Sequence, residues 1–72
     1  MRLYSRDGHL ATVVDPEPFV CHQGFGEDTA VVNRTQGTIL IFPDSDCRTR
    51  IFNPVEPDEG TYGNVGSFQA PS

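Results

Sequence analysis

An all-β domain is the fold class this sequence predicts, a small sandwich or barrel of five to seven short antiparallel strands. Three observations point there. Short runs rich in β-branched and aromatic residues alternate with clusters of Gly, Pro, Asn and Asp. No window places apolar residues at helical spacing over three turns. The chain is only 72 residues long and carries two cysteines, Cys21 and Cys47. A chain of this size buries too little surface to be comfortably stable on its core alone. A bridge across the intervening loop contributes roughly 3–4 kcal/mol by restricting the unfolded chain.

The elements follow in order. Arg2–Ser5 and Leu10–Val14 flank Arg6-Asp7-Gly8-His9. Asp-Gly favours positive φ and a tight reversal, so the first expected unit is a hairpin. Asp15-Pro16-Glu17-Pro18 stops it, because proline has no amide to give to a ladder. Phe19–His22 is read as a third strand, and Gly24-Phe25-Gly26-Glu27-Asp28 as a flexible break. Thr29–Asn33 and Thr38–Phe42 have the strongest strand character, and Asn33–Gly37 joins them as a hairpin loop. Ile39-Leu40-Ile41-Phe42 is apolar at both parities, as in a strand covered on both sides. Pro43–Asp46 is a turn. Arg48–Phe52 is a fifth strand, Asn53–Gly60 an acidic surface loop, and Tyr62–Ala70 a last strand loosened by Gly63 and Gly66. Pro71-Ser72 is a tail. The expected core is Leu3, Val13, Val20, Val31, Ile39, Ile41, Ile51 and Phe68.

Charge excludes some functions. Ten acidic residues oppose five arginines and no lysine, a net charge of −5. Such a field repels nucleic acid and anionic membranes, since phosphate binding needs a basic patch. The longest apolar run, Ile39–Phe42, is far short of a bilayer span. Met1–Val14 contains Arg2, Arg6, Asp7 and His9 and has no apolar signal-peptide segment. Two compartments fit: a mature secreted domain with a start methionine, or the cytoplasm. The cysteine pair favours secretion.

Several constellations bear on chemistry. Cys21 and Cys47 read as a disulfide joining the third strand to the start of the fifth. His22 and Arg48 are their sequence neighbours, but strand neighbours face opposite ways, so a reactive thiol is the weaker reading. Cys21, His22, Cys47 and His9 lack the close pairing of zinc ligands, and no cofactor or metal is expected. Asp44-Ser45-Asp46 and Glu56-Pro57-Asp58-Glu59-Gly60 are acidic turns; neither matches a calcium loop. Ser5, Ser45, Ser67 or Ser72 with His9 or His22 sits in no nucleophile motif, so the chain is read as a non-enzyme. In extended Arg48-Thr49-Arg50 both guanidiniums lie on one face, placed for a partner's carboxylates or as charge guarding an edge strand. Asn33-Arg34-Thr35 fits a glycosylation acceptor pattern by chance and marks an exposed loop.

The layout from Cys21 to Ala70 resembles small secreted actinobacterial β-proteins. The residues that carry the likeness are Thr29–Thr35, Thr38–Phe42, Asp44-Ser45-Asp46-Cys47 and Gly63-Asn64-Val65-Gly66-Ser67-Phe68. Peptidase-inhibitor-like proteins of crystallin-like fold and the bacterial α-amylase inhibitors share this pattern of strand, Asn-rich turn, strand and Asp-x-x-Cys. The amylase inhibitors carry a further disulfide and a Trp-Arg-Tyr inhibitory triplet; this chain has two cysteines and no tryptophan. The resemblance therefore implies a secreted β-fold and carries over no inhibitory residue.

The expected function is protein binding, as an inhibitor of a secreted peptidase or glycosidase, by a monomer or weak homodimer. The alternative is a cytoplasmic phage- or plasmid-type accessory protein that binds a host protein through its acidic surface. The loops Asn33–Gly37 and Asn53–Gly60 and the Arg48–Arg50 pair make Arg34, Arg48, Arg50, Asp58 and Glu59 the candidate partner-binding residues.

Overall fold

The computed structural model describes residues 1–71. Ser72, a candidate nucleophile and part of the expected tail, lies outside the described residues. Six strands make up the fold: β1 Arg2–Tyr4, β2 Leu10–Thr12, β3 His22–Val32, β4 Ile39–Phe42, β5 Asn53–Val55 and β6 Gly60–Gln69. All pair antiparallel in one sheet of order β2-β1-β3-β6-β4-β5, with three-residue strands at both open edges. Short edges limit pairing with other chains. The all-β class, the strand number and the Cys21–Cys47 bridge are those the sequence predicts.

The hairpin of β1 and β2 forms as expected, with Gly8 at φ 88° in its turn. The pairing of residues 29–33 with 38–42 does not form. β6 lies between β3 and β4 and pairs with both. Asn33 is why the chain does not reverse there. Its backbone N–H donates to the Glu59 carbonyl at 2.8 Å, and its carbonyl accepts from the Asp58 N–H at 2.7 Å. Those groups are thus spent on the turn that leads into β6.

Phe19–Cys21 forms a turn and irregular chain rather than a strand, and β3 begins only at His22. Phe19 has φ 65°, and its N–H donates to the Ala70 carbonyl beside an isolated parallel bridge from Pro18 to Ala70. The expected break at Gly24–Asp28 lies inside β3. Two register shifts against β6 fall between Gln23 and Gly26 and between Gly26 and Thr29, and Gly26 and Asp28 take φ 86° and 59°. These bulges add local twist. Gly24 packs directly against the Val65 backbone, where a Cβ would collide with the carbonyl. Glycine here permits close approach within a strand rather than flexibility.

Arg48–Phe52 forms no strand, and the edge strand begins instead at Asn53, within the stretch read as a surface loop. Pro54 is tolerated because β5 is an edge. This shift removes Ile51 from the core; it is 78% exposed, and Val55 takes the inward position. Val20, after the turn at Phe19, is also exposed, at 40%.

The sheet curls around one apolar cluster. Met1 and Leu3 from one side meet Val31, Ile39, Ile41, Val55, Val65, Phe68 and Ala70, with Val13 packed at its margin. Phe42 is buried separately, its ring centroid 5.8 Å from that of Phe52. On β4, Ile39 and Ile41 thus face the core, Phe42 is covered by Phe52, and Leu40 is half-buried.

The disulfide crosses the centre of the sheet. His22, Phe68 and Ile41 are register partners on β3, β6 and β4. Cys21 immediately precedes β3, and Cys47 lies in the loop after β4, with Cα atoms 5.9 Å apart. The bridge therefore straps β3 to that loop over β6. Replacing both cysteines by serine lowers unfolding free energy by roughly 3–4 kcal/mol in urea denaturation; an unchanged midpoint excludes the strap as a stabilising element.

Candidate functional site

The five candidate binding residues occupy opposite ends of β4. Arg34, Asp58 and Glu59 lie beyond its Ile39 end, and Arg48 and Arg50 beyond its Phe42 end. They do not form one site.

At the first end, two loops are locked together by Asn33, which is fully buried. Its Nδ2 donates to the Gly37 and Val55 carbonyls at 2.9 and 2.8 Å. Its Oδ1 accepts from the backbone N–H and hydroxyl of Thr35. The glycosylation reading fails on this burial, because the acceptor nitrogen is enclosed and doubly bonded. Arg34 and Asp58 form an exposed ion pair at 3.8 Å, the kind that contributes at most about 1 kcal/mol. The Glu59 carboxylate accepts from the Glu56 N–H at 3.2 Å. All three candidates therefore have local partners.

The second end is organised by Asp44. One carboxylate oxygen accepts from the backbone N–H groups of Asp46 and Arg48, each at 3.1 Å. The other accepts from the Thr49 hydroxyl at 2.6 Å and the Thr49 N–H at 3.3 Å. The Thr49 hydroxyl and these amides hold the Asp44 carboxyl well below the usual carboxylate range. Both oxygens face donors, so the calcium reading of Asp44-Ser45-Asp46 has no support here. Buried Ser67 ties the loop down: its hydroxyl donates to the Asp44 carbonyl at 2.6 Å and accepts from the Cys47 N–H at 3.0 Å. Gly66 allows this approach, since a Cβ there would strike the Pro43 and Asp44 carbonyls. Cys47 takes φ 54°, a conformation costing a β-carbon residue on the order of 1–3 kcal/mol, held by these bonds and the disulfide.

From this base the chain runs outward through Arg48 to Phe52. Thr49 is tied to Asp44 and Phe52 rests against Phe42. Arg50 and Ile51, between the two anchors, are exposed. The ion pairs among the described residues engage Arg6 and Arg34; Arg48 and Arg50 are in neither. An open groove of about 230 Å³ runs alongside, lined by Ile41, Pro43, Phe52, Tyr62, Asn64 and Val65. Tyr62 is 69% exposed, and its phenol donates to Asp28, which also pairs with Arg6. The Asp28 carboxylate raises the Tyr62 pKa.

The remaining candidates do not converge. Cys21 and Cys47 are bonded to each other. The His22 ring stacks on Phe68 at 5.1 Å, and its Nε2 is enclosed without a partner. Among the described residues no group of three or more His, Cys, Asp or Glu side chains gathers in metal-binding range.

Sequence reasoning singled out Arg48 and Arg50, named Asp44 and Ser67 in other roles, and missed Ile51, Phe52 and Tyr62 as exposed site residues. Asp44 was legible in part, because an aspartate opening a turn commonly bonds amides ahead of it. Ser67 was not, since its partners lie more than 19 positions away.

No family model, curated protein or solved structure matches this chain.

Two outcomes test these assignments. Asn33→Ala leaves the Gly37 and Val55 carbonyls without their donor and costs about 2–4 kcal/mol in chemical denaturation; a change under about 0.5 kcal/mol contradicts the locking role. Asp44→Asn lowers Tm at neutral pH. A depressed folded pKa gives stability that is complete above the unfolded value near about 4 and lost as pH falls toward the folded value. The Tm gap between the two proteins therefore narrows as pH falls below about 4; a pH-independent gap assigns the loss to something other than the Asp44 charge.

Proposed function

We propose that this chain is a protein-binding module that inhibits a secreted hydrolase by presenting Arg48–Phe52 as a pre-formed binding ridge. The observation that carries the reading is the bracing of that ridge. Asp44 holds it at Arg48 and Thr49, Phe42 supports Phe52, and the disulfide fixes Cys47 immediately before it. A segment ordered before binding loses less conformational entropy on association, which is how a small scaffold reaches useful affinity.

The composition of the ridge supports the same reading. Arginine and large aromatic side chains dominate the energetic centres of protein interfaces. Here Arg48 and Arg50, in no ion pair among the described residues, stand exposed with Ile51 and Phe52 beside an apolar groove. In a chain of net charge −5, two arginines in no ion pair among the described residues form a local exception to the acidic field. The bridge fits an oxidising compartment, where secreted hydrolases act. The resemblance to small secreted β-proteins agrees with this reading.

The alternative, binding of a host protein through the acidic surface, has weaker support. Asp44, Asp28, Asp58 and Glu59 are each engaged within the chain, leaving fewer free carboxylates than the composition suggests.

The oxidised protein is expected to inhibit at least one member of a panel of secreted peptidases and glycosidases at micromolar concentration or below. Reduction of the disulfide is expected to weaken that inhibition. Absence of inhibition across the panel, with the disulfide verified by intact mass, contradicts the hydrolase reading.

A further inference from the structure

We infer that Arg50 is the primary specificity residue of the ridge and that its partner is a serine peptidase with a carboxylate at the base of its specificity pocket. The inference rests on the hydrolase-inhibitor reading and narrows it to one enzyme class.

The ridge has a two-residue span whose side chains project between two fixed neighbours. Thr49 is immobilised through both its N–H and its hydroxyl on Asp44, at 3.3 and 2.6 Å. Phe52 is held by its ring against buried Phe42. Only Arg50 and Ile51 lie between, and Ile51 is among the most exposed apolar side chains in the chain. Arg50 lies at a bend between the two anchors, and it is the charged side chain of this span offered to a peptidase pocket. Ile51 and Phe52 then follow on the other side of the same peptide bond.

The chemistry of the side chain selects the pocket. A guanidinium is always charged and presents a planar fork that matches a carboxylate in two parallel hydrogen bonds. Moving it from water into a closed slot is costly unless such a partner waits there. An apolar pocket is therefore excluded and an acid-based one favoured. Arg48 differs in one respect: its own amide is bonded to the Asp44 carboxylate. Its backbone faces the scaffold and is not free to pair with an enzyme. The acidic remainder of the chain adds long-range attraction to a basic enzyme surface.

The test uses the oxidised full chain, trypsin as the arginine-directed probe, and an elastase of the same fold but small apolar pocket as the comparator. Competitive inhibition of trypsin against a small arginyl substrate is expected, with none of elastase. Arg50→Ala should raise Ki by roughly 100-fold, as for the loss of a buried interface anchor. Arg50→Lys should lose part of the affinity, since lysine keeps the charge without the planar fork, and Arg48→Ala should change it less than about tenfold. Tm is expected to be unchanged in all three variants, because both side chains are exposed. Equal inhibition by wild type and Arg50→Ala overturns the assignment. So does simple hydrolysis of the chain by trypsin without inhibition. Inhibition of a glycosidase or metallopeptidase with no effect on trypsin also overturns it, while leaving the hydrolase reading standing. Failure against every hydrolase overturns both.

Discussion

Insertion of β6 between β3 and β4 is the constraint on which the rest of this fold depends. β6 pairs along β3 from Gly60 to Phe68 and along β4 from Ser67 to Gln69. It brings Val65, Phe68 and Ala70 into the core, and it carries Ser67 to the base of the Asp44 loop. Because β6 is the last strand in the chain, the central pairings form only when distant segments meet. Two devices stabilise that arrangement. Asn33 hands the end of β3 to the turn that starts β6, and the Cys21–Cys47 bridge closes over its far end. A domain this small has little core to spare, so a crosslink at the centre of the sheet has more effect than one at an edge.

The same architecture sets the boundary between rigid and exposed parts. One end of β4 is closed by side-chain bonds to Asn33 that leave Arg34 and Asp58 paired with each other. The other end is closed by Asp44, Ser67 and the disulfide, and releases an exposed segment beyond them. The polar groups of the Asp44 loop are satisfied internally. The arginines that follow are in no ion pair among the described residues. Structural polarity and presented polarity are thus separated along a stretch from Asp44 to Phe52.

Local features of the fold were legible in the sequence, and long-range features were not. The β1–β2 hairpin followed from Asp7-Gly8 between two strand-like runs. β4 and β6 were legible from composition, and five of the eight expected core residues are buried: Leu3, Val31, Ile39, Ile41 and Phe68. The pairing of the two cysteines was legible because a chain of this size benefits from a crosslink. The false hairpin across Asn33–Gly37 arose from sequence proximity, which cannot reveal that a strand from the chain's end separates its two arms. Gly24 and Gly26 were read as flexibility because a glycine that permits close approach, as Gly24 does, or takes a positive φ in a bulge, as Gly26 does, looks the same in sequence as one that loosens a loop. Ile51 was placed in the core on hydrophobicity alone. The edge strand starts at Asn53 instead of Arg48, which puts Ile51 outside and Val55 inside. At the candidate site Arg48 and Arg50 were visible as a spaced pair, but the bracing that orders them depends on Ser67 and on the reach of Asp44.

The central claim is that Arg48–Phe52 is ordered before any partner binds. Backbone amide relaxation by NMR on the free, oxidised protein tests it most directly. The account predicts order parameters for Thr49 to Phe52 near the rigid-backbone value of about 0.85, falling on reduction of the disulfide. Values below about 0.6 for Arg50 and Ile51 in the oxidised protein would show a flexible loop and contradict it.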